Sequence, residues 1–433
     1  MAIAAPNTGT SAASATGQSY GAPLATVTTL FFMWGFLTCL NDILVPHLKS
    51  IFDLNYAKVM LIQFAFFGAY FIFSIPSAKI IDWMGYQRSM VAGLLTMGLG
   101  AFLFVPAASV PSFPLFLGAL IVLAAGITCL QVAANPYVTV LGNPETASSR
   151  LNLTQAFNSL GTFLAPFFGG LLILSAAPMT MDQIRALAPD ALQAYRLHEA
   201  ATVKTPYVGL GIALVVLAVA IGSFKLPTIE HAQHKVGEKV NDSIWKHPNL
   251  IFGAIGIFVY VGAEVSIGSF LVNYFGQPEI GGLTEKVAAS FVAFYWGGAM
   301  VGRFIGSALL QKMKTGGLLA ICAVCAAALV AISMLTSGHI AMYSIILVGF
   351  FNSIMFPSIF TLGVAELGPL TGDGSGVMIM AIVGGAILPV AQGWIADHIG
   401  IHHAFFLPVI CYLYILFFAL SGSKPNSERH AIA

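Results

Sequence analysis

Apolar windows of about 20 residues, the length that crosses a bilayer as a helix, recur twelve times along this chain. They lie near 25–48, 58–81, 89–109, 113–141, 150–175, 205–226, 248–275, 287–311, 316–336, 339–365, 374–398 and 402–421. With 58% hydrophobic and only 8% charged residues, an ordinary soluble globule is excluded. The predicted class is an all-α membrane protein with twelve transmembrane helices.

The 18 Lys and Arg residues set the expected orientation. An N-terminus on the inner side gives that side Lys79, Arg88, Arg150, Lys225, Lys235, Lys239, Lys246, Arg303, Lys312, Lys314, Lys424 and Arg429, against six outside. Both termini are therefore expected in the cytoplasm. The expected organisation is a disordered cytoplasmic tail at 1–24, a six-helix half at 25–226, a cytoplasmic linker at 227–247, a second half at 248–421 and a tail at 422–433. The first 24 residues lack the basic start of a signal peptide. The long loop at 176–204 carries Ile184, Leu187, Leu192 and Tyr195 in a pattern that suggests a short surface helix. A net charge of +1 and the lack of a basic run argue against a nucleic-acid partner.

Enzyme and metal chemistry find little support. Cys39, Cys129, Cys322, Cys325 and Cys411 all fall inside apolar windows, and Cys322-x-x-Cys325 has no second pair to complete a zinc site. These cysteines read as small buried apolar residues. His402-His403 reads as an interfacial pair. His198-Glu199-Ala-Ala-Thr202 lacks the second histidine of a zinc-protease helix, and no phosphate-binding loop motif occurs. No resident cofactor or metal is expected.

An internal repeat organises the chain. Gly161-x4-Pro166-x3-Gly170 in the fifth window matches Gly384-x4-Pro389-x3-Gly393 in the eleventh at an offset of 223. Pro136-x4-Leu141-Gly142 in the fourth matches Pro357-x4-Leu362-Gly363 in the tenth at an offset of 221. Two parallel six-helix repeats are a secondary-transporter plan, with a substrate site near the midplane between the halves. In such helices proline frees a carbonyl and glycine lets neighbours approach closely.

Two carboxylates stand out against this background. Asp42 lies deep in the first window, where an ionised carboxylate costs about 2.5–3.5 kcal/mol on insertion scales. An offset of 222 carries Asp42 onto Glu264, in the middle of the seventh window. Low dielectric favours the protonated form of a carboxylate, which suits a group that takes a proton on one side and releases it on the other. A proton moving down 100 mV supplies about 2.3 kcal/mol, roughly 50-fold accumulation. Both residues also have a structural reading, as hydrogen-bonding partners for a neighbouring helix.

Uncharged amides populate the windows too: Gln63, Gln131, Asn135, Gln155, Asn158, Asn273 and Asn352. Gln131 and Asn135 share one helical face, as do Gln155 and Asn158. Amides donate and accept together, as sugar hydroxyls do, and Tyr274, Tyr295 and Trp296 supply surfaces for the apolar face of a sugar ring. Each amide serves equally well as a bond between helices. With no Lys or Arg expected at mid-span, an anionic substrate is disfavoured.

Leu40-Asn41-Asp42-Ile43-Leu44-Val45-Pro46, Ala133-Ala134-Asn135-Pro136-Tyr137-Val138-Thr139-Val140-Leu141-Gly142 and Arg150-Leu151-Asn152-Leu153-Thr154-Gln155-Ala156-Phe157-Asn158-Ser159 make the chain recognisable. It resembles the major facilitator superfamily and, within it, the fucose–proton symporter family that includes bacterial glucose/galactose transporters. The likeness covers nearly all of 25–421. It implies the major facilitator fold of two six-helix halves, residence in the bacterial inner membrane, and uptake of a neutral hexose with a cation, most simply a proton, with sodium an alternative. Asp42 matches the family's coupling aspartate, and a monomer is the class default. The sugar-site candidates are Gln131, Asn135, Gln155, Asn158, Asn273, Trp296 and Asn352. Lys79-x-x-Asp82-x-x-Gly85-x-x-Arg88 is a degenerate form of the superfamily's loop signature, in which Asp82 and Arg88 would latch the cytoplasmic side. One departure is informative: the fucose symporter has a glutamate where this chain has Gln131, and a glutamine where it has Glu264. Either the second carboxylate has moved to the seventh helix, or Asp42 alone carries the proton. An uncoupled facilitator and an efflux carrier remain the competing classes.

Overall fold

The computed structural model describes residues 20–52, 56–110, 112–172, 186–202, 204–229 and 242–425. Side chains are described throughout these except at 37, 40–52, 56–60, 63, 166–172, 196 and 199–202. In chain order the helices are α1 (Gly21–Phe52), α2 (Tyr56–Ser109), α3 (Phe113–Val140), α4 (Ala147–Leu172), α5 (Pro189–Thr202) and α6 (Lys204–Ser223). There follow α7 (Pro248–Gly276), α8 (Glu285–Leu309), α9 (Thr315–Leu335), α10 (Gly338–Asn352), α11 (Met355–Gly363), α12 (Thr371–Met380), α13 (Gly384–Ile399), α14 (Ile401–Ala404) and α15 (Phe406–Phe417).

Among the described residues nine helices are long and apolar enough to cross a membrane. One of them, α2, holds two of the predicted spans, divided at Gly85, whose φ of 81° breaks the helix in a conformation that glycine adopts freely. Separating those two spans and adding α1 and α4 recovers the twelve windows. The tenth window is α10 followed by α11, and the eleventh is α12 followed, after a short 3-10 turn at Ala381–Val383, by α13. The surface helix expected in the 176–204 loop is α5; Ile184 lies outside the described residues.

The repeat motifs have physical meaning. A Cβ on Gly161 would collide with the Phe32 carbonyl of α1, and one on Gly384 with the Phe258 carbonyl of α7. The fifth and eleventh spans thus cross the first helix of their own half at the same repeat position. The paired prolines free the carbonyls four residues earlier, at Val132 and Ser353. Each is captured by a side chain: Ser375 Oγ donates to the Val132 carbonyl at 2.8 Å, and Arg303 Nε to the Ser353 carbonyl at 3.3 Å. Pro357 also sets the tenth span's break, since α10 ends at Asn352 and α11 starts at Met355.

The halves meet chiefly where α4 packs on α8 and α11 and where α12 packs on α2 and α3. Their bonds cluster toward the face where the 227–247 linker joins α7, called the linker face below. Ser148 Oγ and Thr361 Oγ1 are 2.6 Å apart, Ser149 Oγ donates to the Ser307 carbonyl at 2.7 Å, and Thr315 Oγ1 bonds Ser148 Oγ at 2.9 Å. Asn152 Nδ2 donates to the Arg303 carbonyl at 2.7 Å. The linker face is closed in this structure.

Candidate functional site

At mid-depth in the second half, a carboxylate sits in a nest of phenols. Glu264 lies in the middle of α7, with Tyr260 one turn before it on the same face. Tyr260 Oη donates to Glu264 Oε1 at 2.8 Å and also lies 3.1 Å from the Asn352 carbonyl, at the end of α10 where the span breaks. Tyr295 Oη, from α8, is 3.3 Å from the Glu264 carbonyl and accepts from Asn352 Nδ2 at 2.9 Å. Tyr412, from α15, is fully buried, its hydroxyl without a hydrogen-bond partner among the described residues. Glu264 itself is half-buried.

Arg303 completes the nest. Its Nε bonds the Ser353 carbonyl, and its Nη1 bonds Ser159 Oγ, on α4 of the other half. Sequence patterning had assigned Arg303 to the inner surface and left mid-span without a cation. The structure corrects this, because Arg303 is half-buried inside α8 and serves a helix break that no window average registers.

The first half carries a neutral counterpart. Gln131, on α3, donates through Nε2 to Tyr70 Oη of α2 at 2.6 Å. Gln155, on α4, donates to Asn135 Oδ1 at 3.3 Å. Asn135 Nδ2 is buried with no hydrogen-bond partner among the described residues. Asn158 Nδ2 instead bonds the Phe31 carbonyl at 2.9 Å and fastens α4 to α1.

One correspondence was within reach of the sequence. Gln131 and Asn352 each stand five residues before the repeated proline, and each gives its amide hydrogen to a tyrosine of its own half, Tyr70 on the second span or Tyr295 on the eighth.

The other candidates are dispersed. Trp296 is 45% exposed, edge-on to Tyr295 with ring centroids 5.1 Å apart, and lies against Gly268, one turn beyond Glu264. Asn273 is exposed farther along α7. Tyr274 is buried away from the nest, its hydroxyl 2.9 Å from Ser333 Oγ. Asp42 belongs to α1, but its side chain lies outside the described residues, as does that of Gln63.

At the linker face Lys79 Nζ bridges Asp82 Oδ2 at 3.3 Å and Asp373 Oδ1 at 2.6 Å, joining the halves. Asp82 also lies against Gly372 in the first turn of α12, where a helix N-terminus favours negative charge. Arg88 is exposed. Among the described residues no cluster of His, Cys, Asp and Glu has the makings of a metal site.

Twelve spans in two repeats, polar clusters at mid-depth on both sides of a central seam, and closure on one face together define a membrane carrier. The chain belongs to the Major Facilitator Superfamily, whose family model matches residues 24–382. It is therefore a multi-pass membrane protein and a transporter rather than an enzyme. It is 54% identical over 407 residues to the glucose/galactose transporter of Brucella abortus, an alignment covering 94% of this chain and 95% of that one. It is 36% identical over 414 residues to the L-fucose-proton symporter of Escherichia coli, covering 94% of each. The crystal structure of the transporter FucP in the outward conformation superposes with a TM-score of 0.88 at 34% identity, covering 94% of this chain and 100% of that one.

Proposed function

We propose that this chain imports a neutral hexose of the glucose or galactose type together with a proton, by alternating access of its two halves. The observation that carries the reading is the pairing of a neutral amide cluster in one half with a carboxylate-bearing phenolic nest in the other. The first offers donors and acceptors for sugar hydroxyls without a charge to attract an anion: among the described residues Asn135 Nδ2 has no partner, and Gln131 and Gln155 belong to the same cluster. The second offers Glu264, half-buried among Tyr260 and Tyr295. Asn158, Asn273, Trp296 and Asn352 are the remaining proposed sugar contacts. Asp42 and Glu264 are the proposed proton-coupling carboxylates, and Asp82 with Arg88 the linker-face gate, now with Lys79 and Asp373 added. The names of the relatives support the sugar and the proton alike.

In this reading the linker face is cytoplasmic, both termini lie inside, and the protein works as a monomer in the bacterial inner membrane. The halves are 25–226 and 248–421, with 227–247 linking them and the tails at 1–24 and 422–433. The test is uptake of labelled glucose, galactose and fucose into proteoliposomes under an imposed pH or sodium gradient. The reading expects accumulation of a hexose driven by the pH gradient and abolished by Asp42→Asn. Accumulation driven by sodium alone, equilibration without accumulation, or export would replace it with a sodium symporter, a facilitator or an efflux carrier.

A further inference from the structure

Between the ends of the fourth and tenth spans, at the linker face, lies a cavity of about 770 Å³. That is the size of a small-molecule site. Both halves wall it, with Thr139 and Gly142 on one side and Glu366 and Thr371 on the other, while Pro227 and Ile229 add an apolar flank. The offset of 221 that relates the two prolines relates these walls too. It pairs Gly142 with Gly363, Asn143 with Val364, Glu145 with Glu366 and Arg150 with Thr371.

The two helix ends are finished differently. In the first half the Arg150 guanidinium closes the end of α3, giving its N–H groups to the carbonyls of Val138, Thr139 and Asn143 and to Thr146 Oγ1. A cation there offsets the negative end of the helix dipole. In the second half the place of Arg150 is taken by Thr371, on the cavity wall. The α11 end has no basic residue in its last turn, and its carbonyls at Leu362, Gly363 and Ala365 are held at 3.0–3.2 Å by Asn249 Nδ2, a neutral amide. The field of this helix end therefore meets no built-in cation.

Glu366 adds a full negative charge to the same wall. Its φ is 60°, and among the described residues it is the one non-glycine in the left-handed region. A glycine would hold that turn with less strain, so a carboxylate kept there, facing a cavity, points to a use. The neighbouring hydroxyls are acceptors as well. Thr139 Oγ1 spends its proton on the Asn135 carbonyl at 2.9 Å, and Thr371 Oγ1 spends its own on the Gly368 carbonyl at 2.6 Å. No Lys or Arg is among the lining residues.

We propose that this cavity is a regulatory site for a small organic cation, with a guanidinium or ammonium head and a short apolar body. The head takes in the second half the place that Arg150 holds in the first, facing Glu366 and the α11 end, and the body lies along Pro227 and Ile229. Because both halves form the walls, the bound cation fits the closed linker face and not the open one. Binding to one of two states holds the protein in that state. Occupancy is thus a brake on the carrier, applied from the linker face.

The test uses n-hexylguanidinium as the probe, with n-hexylurea as its neutral counterpart and hexanoate as an anion of similar length. Titration calorimetry on the protein in nanodiscs of zwitterionic lipid should show the guanidinium binding about tenfold tighter than the urea, the usual gain of a charge-assisted contact, and no heat from hexanoate. Glu366→Gln should reduce that preference to less than about twofold. Glu366→Gly should do the same while leaving Tm at or above the parent's, since glycine relieves the strained turn. Ala365→Phe, which fills the cavity from its wall, should abolish binding. Closure is read separately by maleimide alkylation of Ser307→Cys, a position buried on the seam between the halves. At a probe concentration ten times its Kd, alkylation should slow about elevenfold, the factor for a ligand that binds the closed form alone. Equal affinity for guanidinium and urea, a preference that survives Glu366→Gln, competition by glucose for the same site, or an unchanged alkylation rate overturns the proposal. Neither transport nor a gradient enters these measurements, so their outcome is independent of the symport reading.

Discussion

The amide–tyrosine pair of the first half and that of the second are built on the same frame and end differently. Gln131 with Tyr70 and Asn352 with Tyr295 occupy corresponding spans, each five residues before a proline. In the first half the phenol sits among neutral amides. In the second it continues to the Glu264 backbone, Tyr260 ties the Glu264 carboxylate to the Asn352 carbonyl at the helix break, and Arg303 bonds the next carbonyl and Ser159 across the seam. Duplication has kept the backbone devices, the glycine crossing and the proline-freed carbonyl, while the side chains have diverged. One half presents neutral amides, the other a carboxylate and a guanidinium.

The strongest challenge to the shared frame is to fill its crossings. Gly161→Leu and Gly384→Leu should each abolish folding, because the collision is with backbone that cannot repack at the usual overpacking cost of about 1–3 kcal/mol. Monodisperse protein on size-exclusion chromatography from either variant would break the equivalence of the two crossings. A smaller effect should separate the roles. Asn135→Ala should raise KM for sugar about tenfold, the cost of one hydrogen bond of about 1.4 kcal/mol, with little change in maximal rate. Initial-rate uptake across a concentration series measures this, and an unchanged KM would remove Asn135 from the sugar site.

Tyr70→Phe and Tyr295→Phe sharpen the comparison further. Each leaves a buried amide donor unpaired, at about 1–3 kcal/mol, so both should lower Tm in detergent, and Tyr295→Phe should also disturb coupling. Equal Tm losses with coupling intact in both would show that the second half carries no charge-sensing duty. The smallest effect is expected from Lys79→Ala. Lys79 is 58% exposed, so losing its bridge to Asp373 should cost less than about 1 kcal/mol. Its mark should be a modest increase in linker-face opening, read by spin labels on Glu145→Cys and Lys312→Cys, both exposed and in opposite halves.

The spans and the repeat were legible because membrane thickness imposes a length and duplication imposes an offset, and both are one-dimensional signals. Glu264 was found by that offset, and the amides by their cost in an apolar window. Arg303 was not, because a window average near a helix end cannot distinguish a residue facing the headgroups from one turned inward to a freed carbonyl. Tyr260 and Tyr412 escaped for a related reason: phenols are ordinary in apolar spans, and only their convergence on one carboxylate gives them meaning. Tyr274 was grouped with Tyr295 by residue type, yet seven residues along α7 from Ile267 its hydroxyl is spent on Ser333. Lys79 was read as part of a charged turn, and its partner Asp373 lies 294 residues away, beyond any local pattern.

The eleventh span is two short helices with a 3-10 turn between them at Ala381–Val383. The first, α12, packs chiefly on α2 and α3 and sends Ser375 to the Val132 carbonyl, while the second, α13, packs on α7. The polypeptide changes halves once, at the linker, but the mechanical frontier between the two bodies is crossed a second time inside this single span. A rigid rod there would transmit torque from one body straight into the other. The 3-10 turn is where the span's packing passes from α2 and α3 to α7.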